Sequence, residues 1–343
     1  MIKRRVTQRD VARVAKVSQA AVSRVMGKHG YVADDVRERI EKAAFGLGYR
    51  PDPVARSLIT GRSNIVAIIV GNIVNPFFPV VLDALTEALR SSGKEVLLFN
   101  IVQGQSLDDL ILDVLNYKVN GIILTTATLE SSVQDVRETL DVPIVFFHRY
   151  ADSSGLPGVA CDNYAGGYQA ARLLLDANRR RLAYVGGNRN SSPDRDRRRG
   201  FLDGMLAAGV EPVSILDGTF TYGWGWKATI DLFQSDKSID GLFCGDDAIA
   251  FGAMDALRYK LGLSVPRQVS VVGFDDVPQA SWAAYGLTTI RQPIERMIER
   301  TIDLLEKPAS AVSAIEFIPG EMVMRSTVSA APDPISAFKE NSK

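Results

Sequence analysis

TQRDVARVAKVSQAAVSRVM, residues 7–26, is the stretch from which the rest of the chain is read. It has the texture of two short helices with a tight turn between them. Thr7 stands just before the first periodic residues and Asp10 three positions on, an acidic variant of the capping box. Val11, Ala12, Val14 and Ala15 read as one apolar face, Lys16 and Val17 as the turn, and Ser18 as a second N-cap. Val22, Val25 and Met26 give the next helix its inner side. Two helices this short are marginal alone in water. Val36, Ile40, Ala43, Ala44 and Leu47, at helical spacing, supply the partner. The outer face of the second helix would carry Gln19, Ala20, Ser23 and Arg24, and its long polar donors suit base edges in a DNA major groove. Pattern alone also admits three ordinary helices of a larger core.

Charge separates the two readings. Residues 1–62 hold 14 Lys and Arg against 6 Asp and Glu. The whole chain of 343 residues carries 40 of each, so the remainder holds 26 against 34. A basic module on an acidic body points to a nucleic-acid partner for the first part. The chain is long enough for two or three domains. No apolar run approaches a membrane span, since Ile65–Val70 stops at Gly71 and Asn72. No apolar segment follows the basic N-terminus as in a secretion signal, so the expectation is a cytoplasmic protein with no membrane partner. Cys161 and Cys244 lie far apart and form no CxxC pair, which suits buried free thiols. With only His29 and His148 as histidines, no metal site is expected.

Helix three is expected from Asp34 to about Gly46–Gly48, with Asp34 and Asp35 favouring its dipole. Tyr49-Arg50-Pro51-Asp52-Pro53 cannot continue it. Pro53 can open a two-turn helix over residues 53–59 that folds only on contact with something else. A plain interdomain linker is the simpler reading of the pattern. From Asn64 the texture changes to strands and helices in alternation. Strands are expected at 65–70, 95–99, 121–124, 143–147, 182–185, 241–244 and 269–272. Helices are expected at 78–91, 107–117, 132–140, 163–175, 197–208, 226–233 and 248–259. This is the signature of doubly wound parallel sheets, and the strand number suggests two of them.

Ligands of such folds bind beyond the carboxyl ends of strands. Those positions hold Asn75-Pro76-Phe77-Phe78, His148 and Arg149, the Ser191-Ser192 loop with Arg195, Arg197, Arg198 and Arg199, Asp246-Asp247, and Gly273-Phe274-Asp275-Asp276. Phe220, Tyr222, Trp224 and Trp226 are expected in a glycine-punctuated loop. Aromatic rings with a few carboxylates and guanidinium groups suit a sugar or other small polar ligand. Enzyme signatures are missing: no GxGxxG after a strand, no GxxxxGK[ST], no GxSxG. No enzyme activity and no cofactor are therefore expected.

The pieces together resemble the LacI/GalR family of bacterial transcription regulators. The resemblance rests on VTQRDVARVAKVSQAAVSRVM, YRPDPVARSLITGRSNIVAIIV, NPFF, SVVGFDDV and LTTIRQP, in that order. It implies a dimer whose protomers carry an all-α helix-turn-helix headpiece (1–49), a hinge helix or linker (50–63), and an α/β core like the periplasmic sugar-binding proteins. The core would comprise two subdomains, 64–162 with 293–322 and 163–292 with 323–335, before a tail at 336–343. By position, Gln19, Ala20 and Arg24 match base-reading residues, and Thr7, Ser18 and Ser23 match phosphate-contacting or capping ones. Leu58 matches a leucine that wedges into the minor groove, with Ala55 beside it. Asn75, Phe77, Phe78, Arg197, Phe220, Asp246, Asp275 and Gln292 match effector-pocket positions. Four departures stand out. Lys16 occupies a left-handed turn position, at a cost of roughly 1 kcal/mol. Gly27 replaces an Asn, and Ala33 replaces a Ser cap. His148 stands where Asp is common; with Arg149 and Arg197 it would make the mouth more cationic and suit an acidic ligand such as a sugar acid. The tail lacks a leucine heptad, so a tetramer-forming coil is not supported. The implied function is a sequence-specific repressor of a catabolic or sugar-related operon, binding a near-palindromic operator and controlled by a small polar effector. A transport sugar-binding protein would need a signal peptide and no headpiece.

Overall fold

The computed structural model describes residues 6–27, 31–50, 63–102, 104–126, 142–152, 154–307 and 314–329. The chain divides into two compact units, residues 1–63 and 64–343. The first unit has α1 (Gln8–Ala15), α2 (Gln19–Gly27) and α3 (Asp34–Leu47). The Asp10 carboxylate accepts from the Thr7 N–H at 3.0 Å and from its hydroxyl at 2.8 Å, and the Ser18 hydroxyl accepts from the Ala21 N–H at 3.1 Å. Lys16 ends α1 at φ 55°, and Gly48 ends α3 at φ 63° where glycine carries no Cβ penalty. Val11, Ala15, Val22, Val25, Ile40 and Ala44 form the core. Val14 does not join it and is 52% exposed. At 3.6 residues per turn it lies about 110° from the centre of the arc set by residues 11, 12 and 15. The candidate hinge residues Ala55 and Leu58 lie outside the described residues.

The second unit holds two six-stranded sheets. The first half-chain gives β1 (Ile65–Val70), α4 (Phe77–Ser91), β2 (Glu95–Asn100), α5 (Leu107–Leu115), β3 (Gly121–Leu124), β4 (Ile144–Phe147) and β5 (Gly158–Cys161). Then come α6 (Asn163–Asp176), β6 (Leu182–Val185), α7 (Ser192–Leu206), β7 (Ser214–Leu216), α8 (Tyr222–Ser235), β8 (Gly241–Cys244), α9 (Asp247–Asp255), β9 (Ser270–Asp275) and β10 (Thr288–Arg291). The chain closes with α10 (Ile294–Leu305), β11 (Ile315–Ile318) and β12 (Glu321–Val323). One sheet has the order β11-β5-β4-β3-β1-β2, the other β12-β10-β9-β8-β6-β7. Every pairing is parallel except β12 against β10. The chain thus passes between the sheets three times: after β5, after β10, and between Ile318 and Glu321. The last passage comes two residues before the expected 322/323 boundary, because β12 begins at Glu321.

Several elements differ from the sequence reading. β5, β7, β10, β11, β12 and α10 were not expected; unlike the equally short β3, β6 and β8, these strands carry small or polar residues in place of a run of large apolar ones, and α10 follows the last strand read. The expected helix 132–140 lies outside the described residues. α7 starts at Ser192 rather than Arg197 because Pro193 suits a first turn, so Arg195 is helical along with the expected Arg197–Arg199. α8 starts at Tyr222, its Thr221 cap accepting from the Trp224 N–H at 3.2 Å. Tyr222, Trp224 and Trp226 therefore belong to a helix; Gly223 and Gly225 misled the reading, since a helix tolerates glycine at about 1 kcal/mol each. β9 extends through Asp275.

Glycines bring α6 and α7 into backbone contact. A Cβ on Gly167 would lie 2.0 Å from the Arg197 carbonyl oxygen, and one on Gly200 2.0 Å from that of Tyr164. Gly200→Ala must separate these helices and should destabilise the core by about 1–3 kcal/mol. Gly223→Ala, with open space around its Cβ, should be neutral or stabilising. Thermal unfolding of both variants checks the contrast.

Candidate nucleic-acid face and ligand cleft

On the first unit, Thr7, Ser18, Gln19, Ala20, Ser23 and Arg24 are all exposed. The buried side of α2 is fixed by Val22 and Val25, which turns Gln19, Ser23 and Arg24 outward on successive turns. Thr7 and Ser18 also carry the capping bonds described above. The surface offers hydroxyl, amide and guanidinium donors on one short helix and its preceding turn.

In the second unit, the effector candidates converge where the strands of the two sheets end. Asn75, Phe77 and Phe78 follow β1, and His148 follows β4; Phe220 follows β7, Asp246 follows β8, and Asp275 ends β9. Gln292 lies on the passage from β10 to α10. Asn75, Phe77, Phe78, His148, Arg197, Phe220, Asp246, Asp275 and Gln292 are all buried.

Two polar chains join the halves. In the first, the Asn75 amide donates to Asp246 Oδ2 at 2.7 Å and to the Phe220 carbonyl at 3.2 Å, while its own oxygen accepts from the Phe77 N–H at 3.0 Å. Asp246 also caps α9 by accepting from the Ile249 N–H at 2.8 Å. In the second, Gln292 Nε2 donates to Asp275 Oδ1 at 2.6 Å, and Arg197 Nη2 reaches the same oxygen at 3.3 Å. Gln292 Oε1 is left to meet His148 Nδ1 at 3.3 Å. An amide oxygen only accepts, so the neutral imidazole carries its proton on Nδ1. His148 stacks on Phe77 at a centroid distance of 4.6 Å and meets the edge of Phe78 at 6.0 Å.

Arg197 is the largest fully buried side chain. Its Nε donates to Asn163 Oδ1 at 2.8 Å and Nη1 to the Gly245 carbonyl at 2.6 Å, and its guanidinium lies 3.6 Å from the Phe274 ring centroid. Sequence reasoning missed Asn163, which follows the unexpected β5. It also missed a clasp at the same end of the cleft. The Tyr150 N–H donates to the Ser192 hydroxyl at 2.9 Å, and its own hydroxyl donates to Asp196 Oδ2 at 2.5 Å. Arg195 ties Tyr150 to Asp152 and Asp196. The signal was present in the spacing DRDRRR, where residues 195 and 196 share a helix turn with 199; of its arginines only Arg197 was given a pocket role, and Asp196 none.

Burial sets the electrostatics. It is the largest influence lowering the His148 pKa well below its ordinary value, and the neighbouring Arg197 and Arg149 lower it further. His148 is therefore neutral, which corrects the expectation that it makes the cleft more cationic. Burial pushes the Asp275 carboxyl up to about 7 against the pull of Arg197. It also raises Asp246, opposed by the Ile249 N–H and Asn75, and Asp247, whose oxygens accept from Thr289 and the Val277 N–H. His148, Asp275 and Asp276 hold positive φ of 70°, 121° and 56°, backbone positions that cost about 1–3 kcal/mol each and cluster at ligand sites. Among the described residues no His, Cys, Asp and Glu grouping could hold a metal, and no helix is long and apolar enough to cross a membrane. Both cysteines are buried and free.

Residues 7–52 match the family described as bacterial regulatory proteins, lacI family, and residues 63–305 match the periplasmic binding proteins and sugar binding domain of the LacI family. The ribose operon repressor of Halalkalibacterium halodurans is 33% identical over 94% of this chain and 96% of its own. The transcriptional regulator GntR of Pseudomonas aeruginosa is 33% identical over 88% of each. Among solved structures, the Lac repressor dimer bound to operator and an anti-inducer superposes with a TM-score of 0.84 at 23% identity, over 95% of this chain and 100% of that one. A complex of the regulator CelR with cellobiose gives 0.71 at 26% identity, over 94% and 100%.

The raised Asp275 pKa fixes a pH dependence. The folded protein keeps this proton up to about pH 7, whereas an unfolded Asp loses it near 4. Through this group the folded state binds more protons in that window, so the Asp275 contribution to stability falls as pH rises from about 4 to 7 and is flat above; the buried neutral His148 works in the opposite sense below its ordinary pKa. Asp275→Asn should remove the Asp275 part of the fall and leave that of Asp194, Asp246 and Asp247. Melting temperatures of both proteins across the window check it.

Proposed function

This chain belongs to the LacI family of bacterial regulatory proteins, and we propose that it acts as a repressor whose hold on operator DNA is set by a small polar molecule in the core cleft. It is a DNA-binding transcriptional regulator and not an enzyme. The single observation that carries the finer reading is the pairing, in one chain, of an exposed polar recognition helix with a two-sheet cleft whose facing walls are joined by hydrogen bonds. Gln19, Ala20 and Arg24 read base edges in the major groove; Thr7, Ser18 and Ser23 meet phosphates. Leu58, with Ala55, enters the minor groove as an apolar wedge. Two headpieces of a homodimer make the operator near-palindromic, because one reads only a few base pairs. A relative named for the ribose operon, and a structural neighbour holding cellobiose, support a sugar or sugar derivative as the effector and a catabolic operon as the target.

The mechanism is linkage. Effector changes the closure of the cleft, DNA stabilises one closure state, and each ligand shifts the affinity for the other by the same factor. Asp275, Arg197, Asn75, Asp246 and Gln292 present polar groups to the effector, and Phe77, Phe78, His148 and Phe220 its apolar wall. No signal from a cofactor or metal is required.

Arg24→Ala should weaken specific operator binding by about 1–3 kcal/mol and leave non-specific affinity much less changed. Footprinting and competition with random DNA measure both; an asymmetric footprint, or one indifferent to Arg24, argues against the reading. Asp275→Ala should raise the ligand concentration for half-maximal response roughly ten- to a hundredfold. Titration of the operator complex, alongside a melting curve for the variant, separates this from a loss of fold.

A further inference from the structure

Arg197 and Arg149 both lie at the cleft, and the circumstances of their side chains are opposite. Arg197 gives hydrogen bonds to three protein acceptors. Arg149 gives none and pairs with no carboxylate among the described residues. Its Nε is buried without a partner. Its guanidinium lies 5.4 Å from the centroid of the Phe220 ring, across the cleft from its own strand. The three carboxylates nearest in influence are Asp246, Asp275 and Asp194. Each is engaged elsewhere: Asp246 by Asn75 and the Ile249 N–H, Asp275 by Gln292 and Arg197, Asp194 by the Tyr184 hydroxyl and the Gly187 N–H.

A further polar atom near the same ring is orphaned. Asp194 is fully buried, and its Oδ2 has no partner. It sits beside Gly187, and a Cβ on that glycine would lie 2.5 Å from the Phe220 ring. A half-buried cation whose Nε is wholly shielded and unpartnered is costly, and desolvation already draws the Arg149 pKa down to about 10, which still leaves it protonated. An anion placed on its fork would relieve the cost with charge-assisted hydrogen bonds.

Building on the effector-cleft reading above, we infer that the effector is a small polyhydroxy carboxylate whose carboxylate is bound by Arg149 against Phe220. A hydroxyl of the same ligand meets Asp194 Oδ2. A ligand with two or more negative charges is disfavoured by the buried carboxylate of Asp194 at the same ring, and a neutral sugar leaves Arg149 uncompensated.

The test uses the full chain and matched probes: D-gluconate with D-glucose, D-galacturonate with D-galactose, and D-glucuronate, read by thermal shift and then calorimetry. At least one acid should raise the melting temperature while its neutral parent does not, and its affinity should fall with added salt. Arg149→Met should weaken that acid roughly ten- to a hundredfold, and Arg149→Lys, which keeps the charge and loses the fork, should recover part of it. The inference is overturned if no acid of the panel binds, if a neutral parent binds as well as its acid, or if Arg149→Met leaves the acid's affinity unchanged. A neutral sugar that binds and is lost in Asp275→Asn would overturn the acid class while leaving the cleft reading in place. An acid that binds equally to Arg149→Met and Asp275→Asn would overturn both.

Discussion

The buried guanidinium of Arg197 is the constraint on which the ligand half of this molecule depends. A charge with 1% of its surface exposed is tolerable only when its donors are matched and a counter-charge is near. Asn163 from the start of α6, the Gly245 carbonyl after β8 and Asp275 at the end of β9 do this together. Their positions are thereby fixed relative to one another. The residue itself is brought inward by the α6–α7 contact, where Gly167 lies against the Arg197 backbone with no room for a methyl group. Local sequence, helix packing and site electrostatics therefore form one chain of cause: glycine spacing allows the helices to touch, contact places the guanidinium, and the guanidinium holds three strand ends.

Asp275 transmits that order across the cleft. One of its oxygens takes both Arg197 and Gln292, and Gln292 turns its other end to His148 on the opposite wall. Because the amide can offer His148 only an acceptor, and burial keeps the ring neutral, the chain is polarised in one direction. Phe77 then packs on the imidazole. The strained φ at His148 and Asp275 is the cost of aiming both side chains into the same space from opposing sheets.

Long elements were legible in the sequence because burial writes a pattern over many residues. Ile65–Val70 reads as a buried strand and is one; Asp34 to Leu47 reads as a helix and ends on a glycine with positive φ. Short strands were legible only where they are runs of large apolar residues, as in Gly121–Leu124 and Leu182–Val185; β5 and β7, with small or polar residues among their three or four, were not. Trp224 and Trp226 were placed in a loop because their glycine neighbours suggest one, yet tertiary packing outweighs a cost of about 1 kcal/mol per glycine. For the cleft, position after strands identified the residues that the fold brings together. Their states were not legible: His148 counts as a potential cation by type, and only its burial between Phe77, Phe78 and two arginines makes it neutral. Likewise the equivalence of Arg149 and Arg197 in sequence dissolves once one is saturated by protein and the other is not.

The hydrogen bonds across the cleft set the terms on which any ligand acts. Asn75 to Asp246 and His148 to Gln292 join opposite walls without a ligand, and the Tyr150–Ser192–Asp196 clasp joins them again near the passage between sheets. A ligand entering between the walls must exchange some of these bonds for its own. Bonds between neutral groups contribute a net of only about 0.5–1.5 kcal/mol, and those to a carboxylate such as Asp246 or Asp196 about 1.5–3, so a few new contacts suffice to tip the exchange. Tight binding alone would not shift the closure equilibrium, because only the difference in affinity between closure states counts. A coupling of about 1–3 kcal/mol, ordinary for linked sites, is the size of one or two such bonds, so the linkage proposed above needs no more than a change in the contacts of Asn75, His148 and Gln292.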